Sequence, residues 1–231
     1  MGAAEDPESL VKEREEEVKT CLTILDELDK EWSGKVHECK AHTVMEYIIL
    51  IFAGMFNRGY GFSSFATSYL YATIYPEYLN RFLQNDAATP ANLGAIYVIF
   101  YFIVSFFGIV TSLIGKKIIK RKRPIYATVD FLKAPELSPL RVVSMAHREI
   151  GNPAMPSADS TWGAIWCTLN VLLFQSKVSI FVLPMVMLGR VYFRCHWIGD
   201  TVIGSLIGII SAMIGFIYFP EMAQLIQSSL L

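Results

Sequence analysis

The sequence predicts an all-α, polytopic membrane protein: a six-helix transmembrane bundle preceded by an amphipathic helix. Three observations carry that class. Apolar residues make up 53% of the 231 and lie in blocks rather than in a periodic pattern. One block, Leu93 to Gly115, contains no charged residue and is long enough to cross about 30 Å of hydrocarbon at roughly 1.5 Å per residue. Charge is concentrated instead in residues 1–42 and at the block edges. The chain therefore divides into a charged tail, 1–42, and a membrane domain, 43–231.

In the tail, Val18, Leu22, Leu25, Leu28 and Trp32 recur at three- or four-residue steps, the spacing of one helical stripe. Asp6-Pro7 suits a helix start and Ser33-Gly34 a stop, which predicts a helix over about 7–33. Its acidic run at 13–17 repels anionic lipid, so docking on the protein's own helices, or on a partner, is the expectation. The tail has no apolar core of a cleavable signal, so the first span is expected to act as the targeting signal.

Five further apolar segments accompany Leu93 to Gly115: Val44 to Asn57, Tyr60 to Tyr75, Thr161 to Phe174, Val178 to Phe193 and Val202 to Phe219. Several fall near or below the spanning minimum of about 17 residues, so their flanks must count or the segments are tilted or re-entrant. Six crossings are expected, with five the alternative. Cys21, Cys39, Cys167 and Cys195 show no paired spacing, which argues against a disulfide or zinc framework. Cys195, although beside His196, reads as a small buried hydrophobe. No metal, cofactor or nucleic-acid partner is expected.

Three polar groups stand at the block edges. Lys116 and Arg123, seven apart, share a face if the third span continues as a helix to Pro124, and both could then hold one phosphate. Ser157, after Pro156, is placed to cap the fourth span and to leave N–H groups free at Ala158 and Asp159. A helix start of that kind attracts a phosphate oxygen. His196 and Asp200 are four apart, so the carboxylate could orient the imidazole for attack, with Arg190 six residues upstream. Each group alone has an ordinary explanation: a basic juxtamembrane flank, a plain N-cap, an interfacial histidine. Their convergence at span ends is what points to a site.

Lys116-x6-Arg123-Pro124, then Pro156-Ser157-Ala158-Asp159, then Gly189-Arg190-x5-His196-x3-Asp200 resemble the type 2 phosphatidic acid phosphatase superfamily over about residues 94–215. That family pattern is Lys-x6-Arg-Pro, Pro-Ser-Gly-His and Ser-Arg-x5-His-x3-Asp. The resemblance implies a metal-free membrane lipid phosphatase in which His196 attacks phosphorus and becomes a phosphohistidine, later hydrolysed by water. Asp200 would orient His196, while Lys116, Arg123, Arg190, the Ser157 hydroxyl and the Ala158 N–H would cradle the phosphoryl oxygens.

Two positions depart from the pattern. Gly189 stands for a serine that would add one phosphate hydrogen bond. Asp159 stands for the histidine that protonates the leaving group, a task for which a carboxyl, ordinarily deprotonated above about pH 3.9, is poorly suited. An alcohol leaving unprotonated is an alkoxide, its conjugate acid as weak as water at about pKa 15.7, whereas a departing phosphate has a second pKa near 6. A lipid diphosphate such as a polyprenyl diphosphate is therefore the expected substrate, with phosphatidic acid or a sphingoid phosphate as the alternative. His147 in the loop 125–155 is a candidate for a replacement acid.

Six crossings would put the site on the face opposite both termini. Family habit favours a lumenal site in the endoplasmic reticulum or another internal membrane. Six Lys or Arg residues between 116 and 123 favour the reverse by the charge rule. The rivals are a catalytically impaired lipid-phosphate-binding scaffold and a channel or transporter; intact nucleophile, orienter and cations speak against the first, and the scarcity of intramembrane charge against the second.

Overall fold

The computed structural model describes residues 7–57, 61–83, 89–124 and 152–230, and among them it holds nine helices and no strand. In chain order these are α1 (Pro7–Glu38), α2 (Thr43–Met55), α3 (Phe62–Ile74), α4 (Pro76–Asn80), α5 (Pro90–Ile119), α6 (Ala158–Phe174), α7 (Ser179–Tyr192), α8 (Ile198–Ile217) and α9 (Phe219–Leu230). Every apolar segment of the sequence is helical. α5 and α8 are long and apolar enough to cross a membrane.

Local sequence explains the main boundaries. Thr89 caps α5 by accepting the Asn92 N–H at 3.3 Å, with Pro90 in the first turn. Ser157 caps α6, accepting the Ser160 N–H at 3.3 Å. At the other end of these two helices, Lys120 (φ 50°) and Gln175 (φ 55°) take left-handed conformations and close the last turn.

The centre of the bundle is α6 packed along α8, with α5 across both. Gly204 and Gly208 make the closest approach possible: a Cβ at Gly204 would lie 2.3 Å from the Ser157 carbonyl oxygen, and one at Gly208 2.3 Å from that of Thr161. Small residues four apart let two helix backbones touch, which matters most where no water drives apolar burial. The Thr161 hydroxyl exploits the approach, donating to Gly204 O at 2.9 Å, and its oxygen lies 2.7 Å from Ser112 Oγ of α5. Three helices are thereby fixed directly beneath the start of α6. An aromatic cluster of Tyr97, Tyr101, Phe100, Phe174 and Phe219 fills the half of the bundle remote from Lys116.

The count of passages differs from the expected six. α2 packs against the end of α7, with Glu46 accepting a hydrogen bond from the Tyr192 hydroxyl and Ala53 against Gly189. α3 packs against the opposite half of α5, with Tyr69 on Gly94 and Phe65 on Tyr101. The two helices, 13 residues each, touch each other little and lie in series, so together they make one passage of the bundle. Five passages result.

That arrangement also corrects the placement of the tail. The later part of α1 lies at the same end as Arg121, Arg194 and the start of α8, whereas α9 packs on the remote half of α5 through Phe219 and Phe100. The site is thus not opposite both ends of the described chain. α1 also runs past the expected stop at Ser33-Gly34 to Glu38. Ser33 and His37 are buried, so tertiary docking overrides the local stop signal. Docking uses the polar face of α1. Leu22, Leu25, Leu28 and Trp32 remain exposed.

Candidate active site

Lys116, Arg123, Asp159, Arg190, His196 and Asp200 are brought to one end of the bundle. α5 delivers Lys116 in its last turn, where Nζ donates to the Pro153 carbonyl at 3.0 Å. The helix was expected to continue to Pro124, but it stops at Ile119, and residues 120–124 run irregularly. Arg123 therefore reaches the site from an irregular strip instead of from a shared helical face. Its Nε donates to Asn152 O at 2.9 Å and a terminal nitrogen to Cys195 O at 3.0 Å. The strip is itself tied down, since Ala154 N–H donates to Arg121 O at 2.7 Å.

Arg190 closes α7 and is buried, with its Nε lacking a hydrogen-bond partner among the described residues. One of its terminal nitrogens pairs with Asp159 Oδ2 at 2.7 Å. Burial weakens the proton affinity of Arg123, and the neighbouring Arg190 charge adds to this while Asp159 and Asp200 oppose it, so the two arginines and two carboxylates share one electrostatic environment. Two guanidinium groups close enough to repel each other call for an anion between them.

The nucleophile candidate, His196, follows a tight turn after α7. Arg194 takes a left-handed conformation (φ 56°), and the N–H groups of Cys195 and His196 both donate to Arg190 O, at 2.9 and 3.2 Å. This turn sets Arg190 and His196 side by side. α8 begins at Ile198, so His196 lies ahead of the helix and Asp200 in its first turn. Asp200 Oδ2 accepts the Trp197 N–H at 2.9 Å and stands 3.5 Å from His196 Nδ1, a separation that a bound substrate can shorten. Nδ1 is the ring nitrogen turned to Asp200.

Ser157 is fully buried, and its oxygen already accepts from Ser160 N–H and Ser160 Oγ, at 3.3 and 3.0 Å, while its own N–H donates to Asp200 O at 2.9 Å. The starts of α6 and α8 are thus joined at the site, and the Ala158 N–H opens α6 beside them. Gly189 has a steric explanation that sequence did not reveal. A Cβ there would meet Ala53 Cβ at 2.5 Å and Ile49 O at 3.2 Å, so the position faces α2 and has no space for a serine. Cys195 is buried, its thiol directed to Phe193 O at 3.7 Å. His147 lies outside the described residues.

Sequence reasoning missed Arg121, which it left in the basic flank. Its guanidinium pairs with Asp200 Oδ1 at 2.8 Å, Asp29 Oδ2 at 2.7 Å and Asp26 Oδ1 at 2.6 Å. Burial alone would lower its proton affinity, but Asp200 and Asp29 outweigh this and hold it above the usual value. The one available signal was the polar stripe Asp26, Asp29, Ser33 on α1, at helical spacing beside the apolar one.

No curated protein and no solved structure matches the chain. A family model described as the PAP2 superfamily matches residues 90–223, more than half of the sequence and the stretch that carries every residue of the cradle. The chain belongs to the PAP2 superfamily, and with it to the phosphatases that act on phosphate esters.

Proposed function

We propose that this protein is an integral-membrane lipid phosphatase that prefers a lipid diphosphate, a polyprenyl diphosphate above all, over a phosphate monoester. His196 Nε2 attacks the terminal phosphorus in line, the P–O bond to the leaving group breaks, and a phosphohistidine forms. Water then attacks that phosphorus, releasing inorganic phosphate and free imidazole. Asp200 orients the ring, and Lys116, Arg123, Arg190, the Ser157 hydroxyl and the Ala158 N–H stabilise the charge that spreads over the equatorial oxygens. Three cations supply that stabilisation, so turnover should persist in chelator.

The observation that carries the preference is the Arg190–Asp159 ion pair. The side chain at the position of the leaving-group acid is engaged by a guanidinium, and a departing phosphate has the least need of an acid there. A panel of phosphatidic acid, a sphingoid phosphate, a polyprenyl phosphate and a polyprenyl diphosphate tests the reading. The diphosphate should show the highest kcat/KM, and Asp159→His should raise the monoesters relative to it. Equal kcat/KM across the panel would refute the preference. Failure to trap phosphate on His196 with any substrate would favour a binding scaffold.

Membrane integration is supported by the apolar outer surface: Phe106 and Phe107 of α5 and Ile210 and Ile217 of α8 are exposed. We assign the protein to the endoplasmic reticulum or another internal membrane. Because α1 shares the site's end, a cytosolic tail and a lumenal site are mutually exclusive under this fold. One engineered glycosylation acceptor in the loop 125–151 assigns both: a glycan places site and α1 in the lumen, and its absence places both in the cytosol.

A further inference from the structure

We infer that Arg121 and Asp29 are positioning residues for the nucleophile, with α1 acting as a brace that sets the orientation and effective charge of Asp200. Two hydrogen bonds dock α1 on the start of α8. Asp29 Oδ1 accepts the Gly199 N–H at 2.9 Å, Ser33 Oγ accepts the Ile198 N–H at 2.9 Å, and the Ser33 hydroxyl lies 3.3 Å from Asp29 Oδ1. Farther along, His37 O accepts both the Nε and a terminal nitrogen of Arg194, at 3.3 and 2.8 Å. A helix 170 residues away in sequence thus supplies the cap that α8 lacks from its own Trp197.

Capping alone does not account for Arg121. Its guanidinium stands between Asp200 on one side and Asp29 and Asp26 on the other. Asp200 is consequently held at both oxygens: Oδ1 by Arg121, Oδ2 by the Trp197 N–H, and it is Oδ2 that faces His196. The plane of the carboxylate is fixed, and so is the direction from which it addresses the imidazole. Gly199 belongs to the same device, since a Cβ there would lie 2.7 Å from Asp29 Oδ2 and 3.4 Å from a terminal nitrogen of Arg121.

The charges make a prediction that a purely structural brace does not. Removing Arg121 leaves Asp200 uncompensated and should make His196 more basic. Neutralising Asp29 leaves Arg121 shared between Asp200 and Asp26 only, so more of its charge acts on Asp200, and this should make His196 less basic. The two substitutions break the same chain of contacts yet shift the imidazole in opposite directions. The other charged or titratable groups around the pair are Lys116 of α5, Arg123, Asp159 of α6, Arg190 of α7, and Asp26, Lys30 and His37 of α1. All of them are unchanged between the two variants.

The test is the titration of His196 by NMR in the full-length, histidine-labelled protein in detergent micelles, its resonance assigned by comparison with His196→Gln. Arg121→Gln should raise the apparent pKa by about one unit, and Asp29→Asn should lower it by a smaller amount. If Asp29→Asn does not fold, Gly199→Ala displaces the same carboxylate and should shift His196 in the same downward sense. Any outcome other than opposed shifts overturns the inference. The kinetic arm rests on the phosphatase reading: both variants should lose about 10- to 100-fold in kcat with KM within about twofold, and Asp29→Glu should recover most of the loss. Opposed shifts in a wild type that turns over none of the substrate panel would refute the phosphatase reading and leave the brace standing. Turnover without opposed shifts would do the reverse.

Discussion

The two ends of the bundle are stabilised by different physics. The remote half is a cluster of aromatic rings, with Tyr97, Phe100, Phe174 and Phe219 within about 5 Å of a ring neighbour. It tolerates approximate packing because dispersion has no preferred direction. The site end is made of arginines and carboxylates whose contacts are directional, and they come from four helices and one irregular strip. The contrast between Arg121 and Arg123 makes the point on the smallest scale. They stand two residues apart in one irregular strip, yet Arg121 is bound by three carboxylates, whereas Arg123 grips two backbone carbonyls beside Arg190 and Asp159. A guanidinium shared by three carboxylates has little charge to spare for a phosphate. Arg123 keeps its own.

The largest test of that contrast is the nucleophile itself. His196→Gln should lower kcat by at least about 10⁴-fold and abolish phosphate trapping on the protein, while Tm in detergent changes little, because the residue lies ahead of α8 and carries none of its caps. Arg123→Lys comes next. It keeps the charge but loses the planar fork that spans Asn152 O and Cys195 O, so kcat should fall about 10²-fold with little change in Tm. If Arg121→Lys produced the same kinetic loss with a raised KM for phosphate, the division of labour between the two arginines would be wrong.

A smaller effect separates packing from chemistry at Gly189. Family resemblance suggests that Gly189→Ser adds a phosphate hydrogen bond and raises activity. The approach of α2 dictates the reverse: the new Cβ would meet Ala53 at 2.5 Å, so the variant should lose about 1–3 kcal/mol of stability. Ala53→Gly in the same chain should restore most of the Tm.

What was legible in the sequence follows the same division. Blocks of apolar residues mark helices because burial in hydrocarbon or core is a property of each segment alone, and all six expected segments are helical. The candidate site was legible as polar residues at set spacings beside those blocks, and the fold gathers them at one end of the bundle. Passage count was not: whether two 13-residue helices stand side by side or in series depends on what Ala53 and Tyr69 touch, on α7 and α5 respectively. Nor was the end of α5 at Ile119, since Lys120 to Lys122 have no local reason to leave a helix. Arg121 is drawn away by carboxylates at positions 26, 29 and 200, and no window of sequence contains all of them.

The smallest effect concerns the outer edge of the brace, and acid distinguishes it from the inner one. Asp26 holds its carboxyl below the ordinary value of 3.8, first through Lys30 and then, against some burial, through Arg121. A carboxyl whose folded value is depressed contributes stability that is fully present above its unfolded value and disappears as pH falls through the folded one. The Tm difference between wild type and Asp26→Asn should therefore be constant above about pH 5 and shrink towards zero as the pH drops below 3.8. Asp26 is half-exposed, so screening keeps the difference small, and added salt should reduce it further at neutral pH. A difference that persisted undiminished in acid would mean that Asp26 acts through packing, and that Arg121 is held by Asp29 and Asp200 without it.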